Sequence, residues 1–310
     1  MIATLLLAAA ASAGGPCGRE ALQDRMARIA EPAGGRVGAS ALLIETGERA
    51  STNGDARFPM QSVYKVPIAM AILRRVDRGT LSLDARTPVL AADLAPPRVH
   101  SPMRDRFPRG GRLEPTLEDL LRATIVDSDG TASDLLLRLV SPDEVTRFLR
   151  EIGISGLTVA TSEAGMSRSE DVQYRNWATP DAAADLLALL EKGRVLSGES
   201  RSALLGWMRA TPVGPGRLRG LLPPGTDVAH KTGSSGTVGG MDRATNDAGI
   251  VTLPDGRHLA VVVFVSDSRA DQAAREGVIA GIARAAWDCW TAPGGGSPSA
   301  SPGPHRAPGR

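Results

Sequence analysis

The sequence lacks a strong net charge. It carries 36 Lys and Arg against 34 Asp and Glu, a formal net charge of +2, and no run of basic residues stands out. A chain of this kind has no basic surface of the sort that binds the phosphate backbone of DNA or RNA. Nucleic acid is therefore not an expected partner.

Aromatic residues are also scarce, at 3%, although 42% of the 310 residues are hydrophobic. This balance is typical of an ordinary globular protein and excludes a fibrous chain or one disordered throughout. The chain is long enough for one large domain, or two intimate ones, with ample core.

Lysine is rare among the basic residues. Only Lys65, Lys192 and Lys231 are present, so 33 of the 36 basic residues are arginine. Because arginine does not deprotonate in proteins, each retained lysine is a candidate for proton transfer.

Long apolar runs are absent apart from residues 2–12, which are too few to span a bilayer and end in Ala11-Ser12-Ala13. This pattern predicts a signal peptide over residues 1–13, and hence a periplasmic or secreted protein with no membrane contact after cleavage. The alternative is a frayed apolar N-terminus, since no basic side chain precedes the run. Residues 292–310 are rich in Gly, Pro and Ser and are predicted to be disordered.

Hydrophobic periodicity predicts strands near both ends of the chain and helices between them. The predicted strands are 36–44, 49–52, 228–231, 247–253 and 258–265. The predicted terminal helices are 19–29 and 271–290, and the inner helices are 63–76, 116–125, 131–140, 142–152, 180–190 and 199–208. This order indicates an antiparallel sheet built from both chain ends, with a helical insertion.

Ser62 and Lys65 begin the first inner helix as a Ser-x-x-Lys pair. This spacing places both side chains on one helix face, where the hydroxyl can lose its proton to the amine. Backbone N–H groups at a helix N-terminus favour developing negative charge. The alternative is an N-cap serine beside a surface lysine, and the spacing alone does not exclude it.

Two further motifs follow in order. Ser128-Asp129-Gly130 lies between two predicted helices, and Lys231-Thr232-Gly233 lies on a predicted strand. Each motif is weak alone, but the ordered set is hard to obtain by chance. Over nearly the whole mature chain, the sequence resembles a class A serine β-lactamase.

The resemblance implies an α/β (α+β) fold with a five-stranded antiparallel sheet flanked by helices, plus an all-helical subdomain, as in serine β-lactamases and D,D-peptidases. The α/β part would comprise residues 14–61 and 211–291, and the helical part residues 62–210.

The resemblance also implies roles in acylation. Ser62 would attack the lactam carbonyl, and either Lys65 or Glu163 acting through water would take its proton. Ser128 would pass a proton to the lactam nitrogen. The other implied contacts are with the substrate: Lys231 and Thr232 would hold its carboxylate, and the N–H groups of Ser62 and Ser234, next to Gly233, would form the oxyanion hole.

Glu163 is the carboxylate that would activate water to hydrolyse the acyl-enzyme. Its surroundings, Glu-Ala-x-Met at 163–166 and Gln-Tyr-x-Asn-Trp at 173–177, resemble the omega loop of the PER-type extended-spectrum subgroup. Asp129 and Asn176 are expected to have structural roles.

The sequence departs from the family pattern at several positions. Gly130 replaces a frequent Asn, which is expected to leave room in the pocket and alter substrate preference. No Arg follows Lys-Thr-Gly on the next strand, so Arg217 would supply the guanidinium that faces the substrate carboxylate. His100 would stand at the pocket mouth, where an aromatic residue is usual.

Cys17 and Cys289 are the only cysteines, and an oxidising compartment would allow them to pair. In the implied fold the first and last helices pack side by side, with the start of one near the end of the other. The resemblance therefore implies a Cys17–Cys289 disulfide.

Competing interpretations remain at this point. No G-x-S-x-G elbow supports a Ser/His/Asp hydrolase, and no His or Cys grouping supports a metal site, so neither metal nor cofactor is expected. A D,D-peptidase or esterase, or a non-catalytic β-lactam sensor of the same fold, would keep Ser62 but deacylate slowly. The predicted protein is a monomeric β-lactamase that acts on penicillins and cephalosporins.

Overall fold

The computed structural model describes residues 17–108 and 111–292. The predicted signal peptide and the predicted tail beyond residue 292 lie outside the described residues.

A five-stranded antiparallel sheet forms the centre of the fold, in the strand order β2-β1-β10-β9-β6. Its first and last strands in sequence come from opposite ends of the chain, and β1 pairs with β10 along its whole length. This sheet confirms the predicted one. The strands are β1 (Arg36–Leu43), β2 (Arg49–Thr52), β6 (Val228–Ser234), β9 (Thr245–Thr252) and β10 (His258–Ser266).

Helices cover both faces of the sheet. Helices α1 (Arg19–Ala30) and α10 (Gln272–Thr291) pack together on one face. The helices inserted between β2 and β6 lie on the other side and are α2 (Lys65–Asp77), α3 (Pro102–Asp105), α4 (Leu117–Val126), α5 (Gly130–Leu139), α6 (Pro142–Glu151), α7 (Glu163–Met166), α8 (Pro180–Glu191) and α9 (Gly198–Ala210).

The central strand β10 shows how the two layers share one sheet. Val261, Val263 and Val265 pack into the core beneath α1 and α10, whereas Val262 and Phe264 pack into the larger core beneath the inserted helices. Successive side chains of a strand point to opposite faces, so the continuous apolar run over residues 259–265 joins both cores.

Five short strands form two small sheets beside the central one. Strand β3 (Phe58–Pro59) pairs with β5 (Trp177–Ala178), which also pairs with β4 (Leu157–Thr158). Strands β7 (Thr237–Val238) and β8 (Met241–Asp242) form a hairpin after β6. The loop between β4 and β5 is thereby held beside the segment that carries Ser62.

A disulfide joins Cys17, before α1, to Cys289, in the last turn of α10. This confirms the predicted pairing. Closing a loop of this length restricts the unfolded chain and contributes about 5 kcal/mol on a chain-entropy estimate.

Among residues 17–108 and 111–292, none of the helices is both long enough and apolar enough to cross a membrane.

Candidate active site

Ser62 lies in a 3₁₀ turn, Gln61–Tyr64, immediately before α2. The preceding residue, Gln61, has a φ of +46° although it is not a glycine. Non-glycine residues in this region are held there by their surroundings and cluster at active sites. Ser62 keeps partial solvent access and faces a cavity.

The backbone before Ser62 is fastened to the sheet. The Asn246 amide on β9 donates to the carbonyls of Pro59, at 2.7 Å, and Met60, at 3.1 Å. A Cβ on Gly233 would lie 2.4 Å from the Met60 carbonyl oxygen. The glycine of Lys-Thr-Gly thus allows β6 to approach the segment that carries Ser62, and Asn246 holds that segment in place.

Lys65 is almost completely buried, at 1% exposure. Its Nζ lies 2.8 Å from Glu163 Oε1 and donates to the Ser128 carbonyl at 2.7 Å. Lys65 is one helical turn from Ser62, and its ammonium group faces the Glu163 carboxylate. A base and an acid paired in this way beside a hydroxyl can move a proton to or from it.

Lys231, on β6, is fully buried. Its Nζ donates to Ser128 Oγ at 2.8 Å and to the Thr232 carbonyl at 3.0 Å. Burial is the main cause that lowers the pKa of Lys231 well below its ordinary value, and the charge of Lys65 lowers it further. Ser128 thus lies between the two lysines, bonded to one through its carbonyl and to the other through its hydroxyl.

Glu163 begins the short helix α7, whose N-cap is Ser162. The Asp134 carboxylate on α5 accepts the N–H of Glu163 at 2.7 Å and the N–H of Ala164 at 2.9 Å. Burial, together with the charge of Glu163, raises the pKa of Asp134 to about 6. Asp134 fixes the backbone that carries the Glu163 side chain.

Sequence reasoning did not name Asp134, which supports the backbone at Glu163. It lies four residues after Gly130 in α5, so both residues lie on the same helix face. A carboxylate one turn beyond the Ser-Asp-Gly motif was the signal available in the sequence.

Asn176 joins the two ends of the loop that contains Glu163. Its Oδ1 accepts the N–H groups of Ala160, at 2.8 Å, and Thr161, at 3.0 Å, while its Nδ2 donates to the Thr161 carbonyl at 2.9 Å. The backbone carbonyl of Asn176 also accepts the N–H of Met60 at 2.9 Å. One residue therefore connects the omega loop to the segment that carries Ser62.

Asp129 is fully buried and caps α5 through the N–H of Ala132 at 2.8 Å. It also accepts the N–H of Met103 at 2.6 Å and the hydroxyl of Ser101. These bonds hold the segment that precedes α3. His100, on the same segment, is exposed at the pocket rim and contacts the Asp127 carbonyl through Nε2 at 3.0 Å.

The expectation that Gly130 leaves room in the pocket is wrong. A Cβ at this position would lie 2.2 Å from Val99 Cγ1 and 3.1 Å from the His100 carbonyl oxygen. The N–H of Gly130 donates to that carbonyl at 2.9 Å. Because the 99–100 segment packs directly on the glycine, Val99 fills the space and lines the cavity itself.

Arg217 is buried against the end of β6. Its guanidinium donates to Ser234 Oγ at 2.8 Å and to the carbonyls of Gly233, at 3.1 Å, and Asn246, at 2.8 Å. Its Nε also donates to Glu276 at 3.2 Å. A guanidinium thus lies beside Ser234, on the side of the site where the substrate carboxylate was expected.

His230 does not join the site. Its Nδ1 lies 2.9 Å from the Asp247 carboxylate, and both side chains are buried. Adjacent residues of a strand point to opposite faces, so His230 faces away from Lys231. The Ser/His/Asp arrangement is therefore not formed with Ser62.

One cavity of about 440 Å³ brings the predicted residues together. This size suits a small-molecule ligand. The predicted residues that line it are Ser62, Lys65, His100, Ser128, Glu163 and Ser234. Lys231 lies behind Ser128 and donates to its hydroxyl and to the Thr232 carbonyl.

The profile of the β-lactamase enzyme family matches residues 21–290. The chain belongs to this family. The chain is 38% identical to the β-lactamase VEB-1 of Pseudomonas aeruginosa, in an alignment that covers 82% of this chain and 85% of that protein. The extended-spectrum β-lactamase PER-1 of the same organism is 40% identical over 74% of this chain and 75% of its own length.

Solved β-lactamase structures agree with this assignment. The crystal structure of a β-lactamase from Chitinophaga pinensis superposes with a TM-score of 0.83 at 43% identity, covering 86% of this chain and 98% of that one. These comparisons confirm the class predicted from the motifs, a class A serine β-lactamase, and its fold. The β-lactamase is accordingly a hydrolase.

Proposed function

We propose that this β-lactamase is exported and hydrolyses the β-lactam amide of penicillins and cephalosporins through a Ser62 acyl-enzyme. The observation that carries the proposal is the junction at Ser128, whose carbonyl accepts from Lys65 and whose hydroxyl accepts from Lys231. Glu163 completes it at 2.8 Å from Lys65. The proposal is supported by the cavity, which is lined by Ser62, Lys65, Ser128 and Glu163.

In acylation, Ser62 Oγ attacks the lactam carbonyl and its proton passes to the Lys65–Glu163 pair, either to Lys65 or through water to Glu163. The backbone N–H groups of Ser62 and Ser234 stabilise the oxyanion. Gly233 supports this geometry, because the absence of a Cβ lets β6 approach the Ser62 backbone.

Ser128 then delivers its hydroxyl proton to the lactam nitrogen as the C–N bond breaks, and the proton that the Lys65–Glu163 pair took from Ser62 replaces it. Its hydroxyl is suited to this step because Lys231 donates to Ser128 Oγ at 2.8 Å, which supports negative charge on the oxygen while its proton leaves. Lys231, Thr232 and Arg217 attract the substrate carboxylate to the same side of the cavity.

Deacylation distinguishes this enzyme from a D,D-peptidase or a β-lactam sensor. Glu163 activates a water molecule that attacks the ester carbonyl, and the proton that the water loses passes to the Glu163 carboxylate. The ester bond to Ser62 Oγ then breaks, and Ser62 takes that proton back through the Lys65–Glu163 pair. Two backbone bonds to Asp134 hold Glu163 in place for this step.

We also propose an extended cephalosporin spectrum, based on the omega-loop resemblance and on the name of the relative PER-1. Comparable turnover of a small penicillin and a bulky oxyimino cephalosporin is expected. Undetectable cephalosporin hydrolysis would contradict this part of the proposal.

The main test follows nitrocefin turnover by the mature protein and by Glu163→Ala, with intact-mass spectrometry after exposure to penicillin. Rapid turnover by the parent, and a stable adduct on Ser62 in the variant, are expected. A stable adduct on the parent would instead indicate a peptidase or sensor. Secretion as a monomer is tested by N-terminal sequencing of exported protein and by sedimentation.

A further inference from the structure

Gln61 and Gln173 form a hydrogen bond in the wall of the active-site cavity. Gln61 Nε2 donates to Gln173 Oε1 at 2.6 Å, and the two side chains are only 7% and 8% exposed. Gln61 directly precedes the nucleophile, whereas Gln173 lies in the omega loop. The bond therefore links the loop that carries Glu163 to the turn that carries Ser62.

The direction of this bond is fixed by its neighbours. Gln173 Nε2 donates to Glu170 Oε2 at 3.1 Å, and an ionised carboxylate can only accept. The carbonyl oxygen of Gln173 must therefore face Gln61. Glu170 is in turn 3.6 Å from the Arg243 guanidinium, next to β8, so Gln173 is held in place from behind.

Gln61 needs such an anchor because its backbone is strained. A left-handed φ of +46° in a non-glycine residue is costly and persists only where several contacts enforce it. The sheet holds the preceding carbonyls through Asn246, and the Gln173 bond holds the side chain. Relaxation of Gln61 would rotate the next peptide, which contains the Ser62 N–H.

We propose that Gln173 is a positioning residue for Ser62, acting through the side chain of Gln61. This inference rests on the proposed function, since it concerns acylation of Ser62 by a β-lactam. Misplacement of the nucleophile and the oxyanion donor by a fraction of an ångström lowers reactivity with every substrate, whatever its side chain.

The test measures the acylation rate of Ser62 by quenched-flow mass spectrometry with two substrates, a small penicillin and an oxyimino cephalosporin. The variants are Gln173→Met, Gln61→Met and the double variant, which remove the bond at similar side-chain length. Gln23→Met is the matched control, because Gln23 donates to the Ser51 carbonyl far from the cavity. Thermal melting checks that each variant is folded.

Each single variant is expected to lose about 10-fold or more in acylation rate, equally for both substrates. The double variant is expected to be no slower than either single one, and the control to match the parent. Parent-like acylation by a folded Gln173→Met or Gln61→Met variant would overturn the inference. Losses confined to the bulky cephalosporin, or additive losses in the double variant, would also overturn it. A parent that forms no Ser62 adduct would instead refute the proposed function.

Discussion

Lys65 and Lys231 are both buried within the active site but have different partners. Lys65 Nζ lies 2.8 Å from the Glu163 carboxylate. Lys231 Nζ is bonded to one hydroxyl and one carbonyl, and within the described part of the chain no carboxylate oxygen lies within 4 Å of it. Burial lowers the pKa of Lys231 well below its ordinary value.

The different partners of Lys65 and Lys231 suit them to two tasks, proton transfer and binding of the substrate carboxylate. A buried cation without an anionic partner is unfavourable unless something compensates it. At Lys65 the protein supplies the anion, and the pair is ready to move protons. At Lys231 the substrate carboxylate would supply it, so the cost of burying the charge is offset when substrate binds.

The largest effect is expected for Lys65→Arg. Arginine cannot give up its proton, and its longer fork does not fit beside Ser128, so acylation of Ser62 is expected to fall by about 1000-fold. Lys192→Arg, at the exposed third lysine, should leave the rate unchanged. Quenched-flow mass spectrometry with a penicillin measures both, and parent-like acylation by Lys65→Arg would remove Lys65 from proton transfer.

Lys231→Ala removes the cation that awaits the substrate. We expect KM to rise by about 10- to 100-fold, because a charge-assisted hydrogen bond contributes about 1.5–3 kcal/mol.

The pH dependence of kcat/KM tests whether the charge of Lys231 binds the substrate carboxylate. Since burial lowers the pKa of Lys231, the lysine loses its charge at a pH below its ordinary value of 10.5, and kcat/KM should fall as pH rises. Lys231→Arg should abolish that alkaline fall, because arginine stays charged. An identical alkaline limb in parent and Lys231→Arg would assign the titration to another group.

Asp134→Asn tests whether the carboxylate that binds the Glu163 and Ala164 N–H groups is needed to hold Glu163, the partner of Lys65, in place. The pKa of Asp134 is about 6, so at lower pH its protonated form leaves one of the two backbone N–H groups without a carboxylate acceptor. Deacylation should therefore slow as pH falls through about 6, and Asp134→Asn should slow it by about 10-fold at pH 7. The exposed Asp143→Asn is the control, and acyl-enzyme decay measured by mass spectrometry across pH 5–8 decides the result.

Gly130→Asn tests the packing of Val99 on Gly130 at the rim of the cavity. Of the changes considered, it is expected to affect the reaction rate least. A Cβ there meets Val99 at 2.2 Å, so we expect the free energy of unfolding to fall by about 1–3 kcal/mol. Val99→Ala combined with Gly130→Asn should recover part of this loss. Urea denaturation measures both, and an unchanged stability for Gly130→Asn alone would show that the 99–100 segment moves aside easily.

Much of the fold was predictable because its signals are local. Apolar runs marked strands such as β10, and helical periodicity marked the inserted helices, two of which begin with the pairs Thr179-Pro180 and Ser141-Pro142. The end of β6 was missed by three residues, since Thr232-Gly233-Ser234 has no hydrophobic alternation. These residues are held in the strand by pairing with β9.

The motif residues that line the cavity were also named from the sequence, whereas the residues that support them were not. Ser62 and Lys65 are three residues apart, so one helical turn relates them. Asn246 contacts Pro59 across 187 residues, and Val99 meets Gly130 only because two separate segments pack together. Such contacts form only when distant segments pack together in the tertiary fold. Residue spacing and composition therefore do not predict them.

The most direct test compares Glu163→Ala and Lys231→Ala with one penicillin at a concentration well below KM, following the Ser62 adduct over time by intact mass. The account predicts that Glu163→Ala accumulates an adduct that does not decay. It predicts that Lys231→Ala forms an adduct slowly and then releases it at the parental rate. Identical time courses for the two variants would contradict the division of tasks between the two buried lysines.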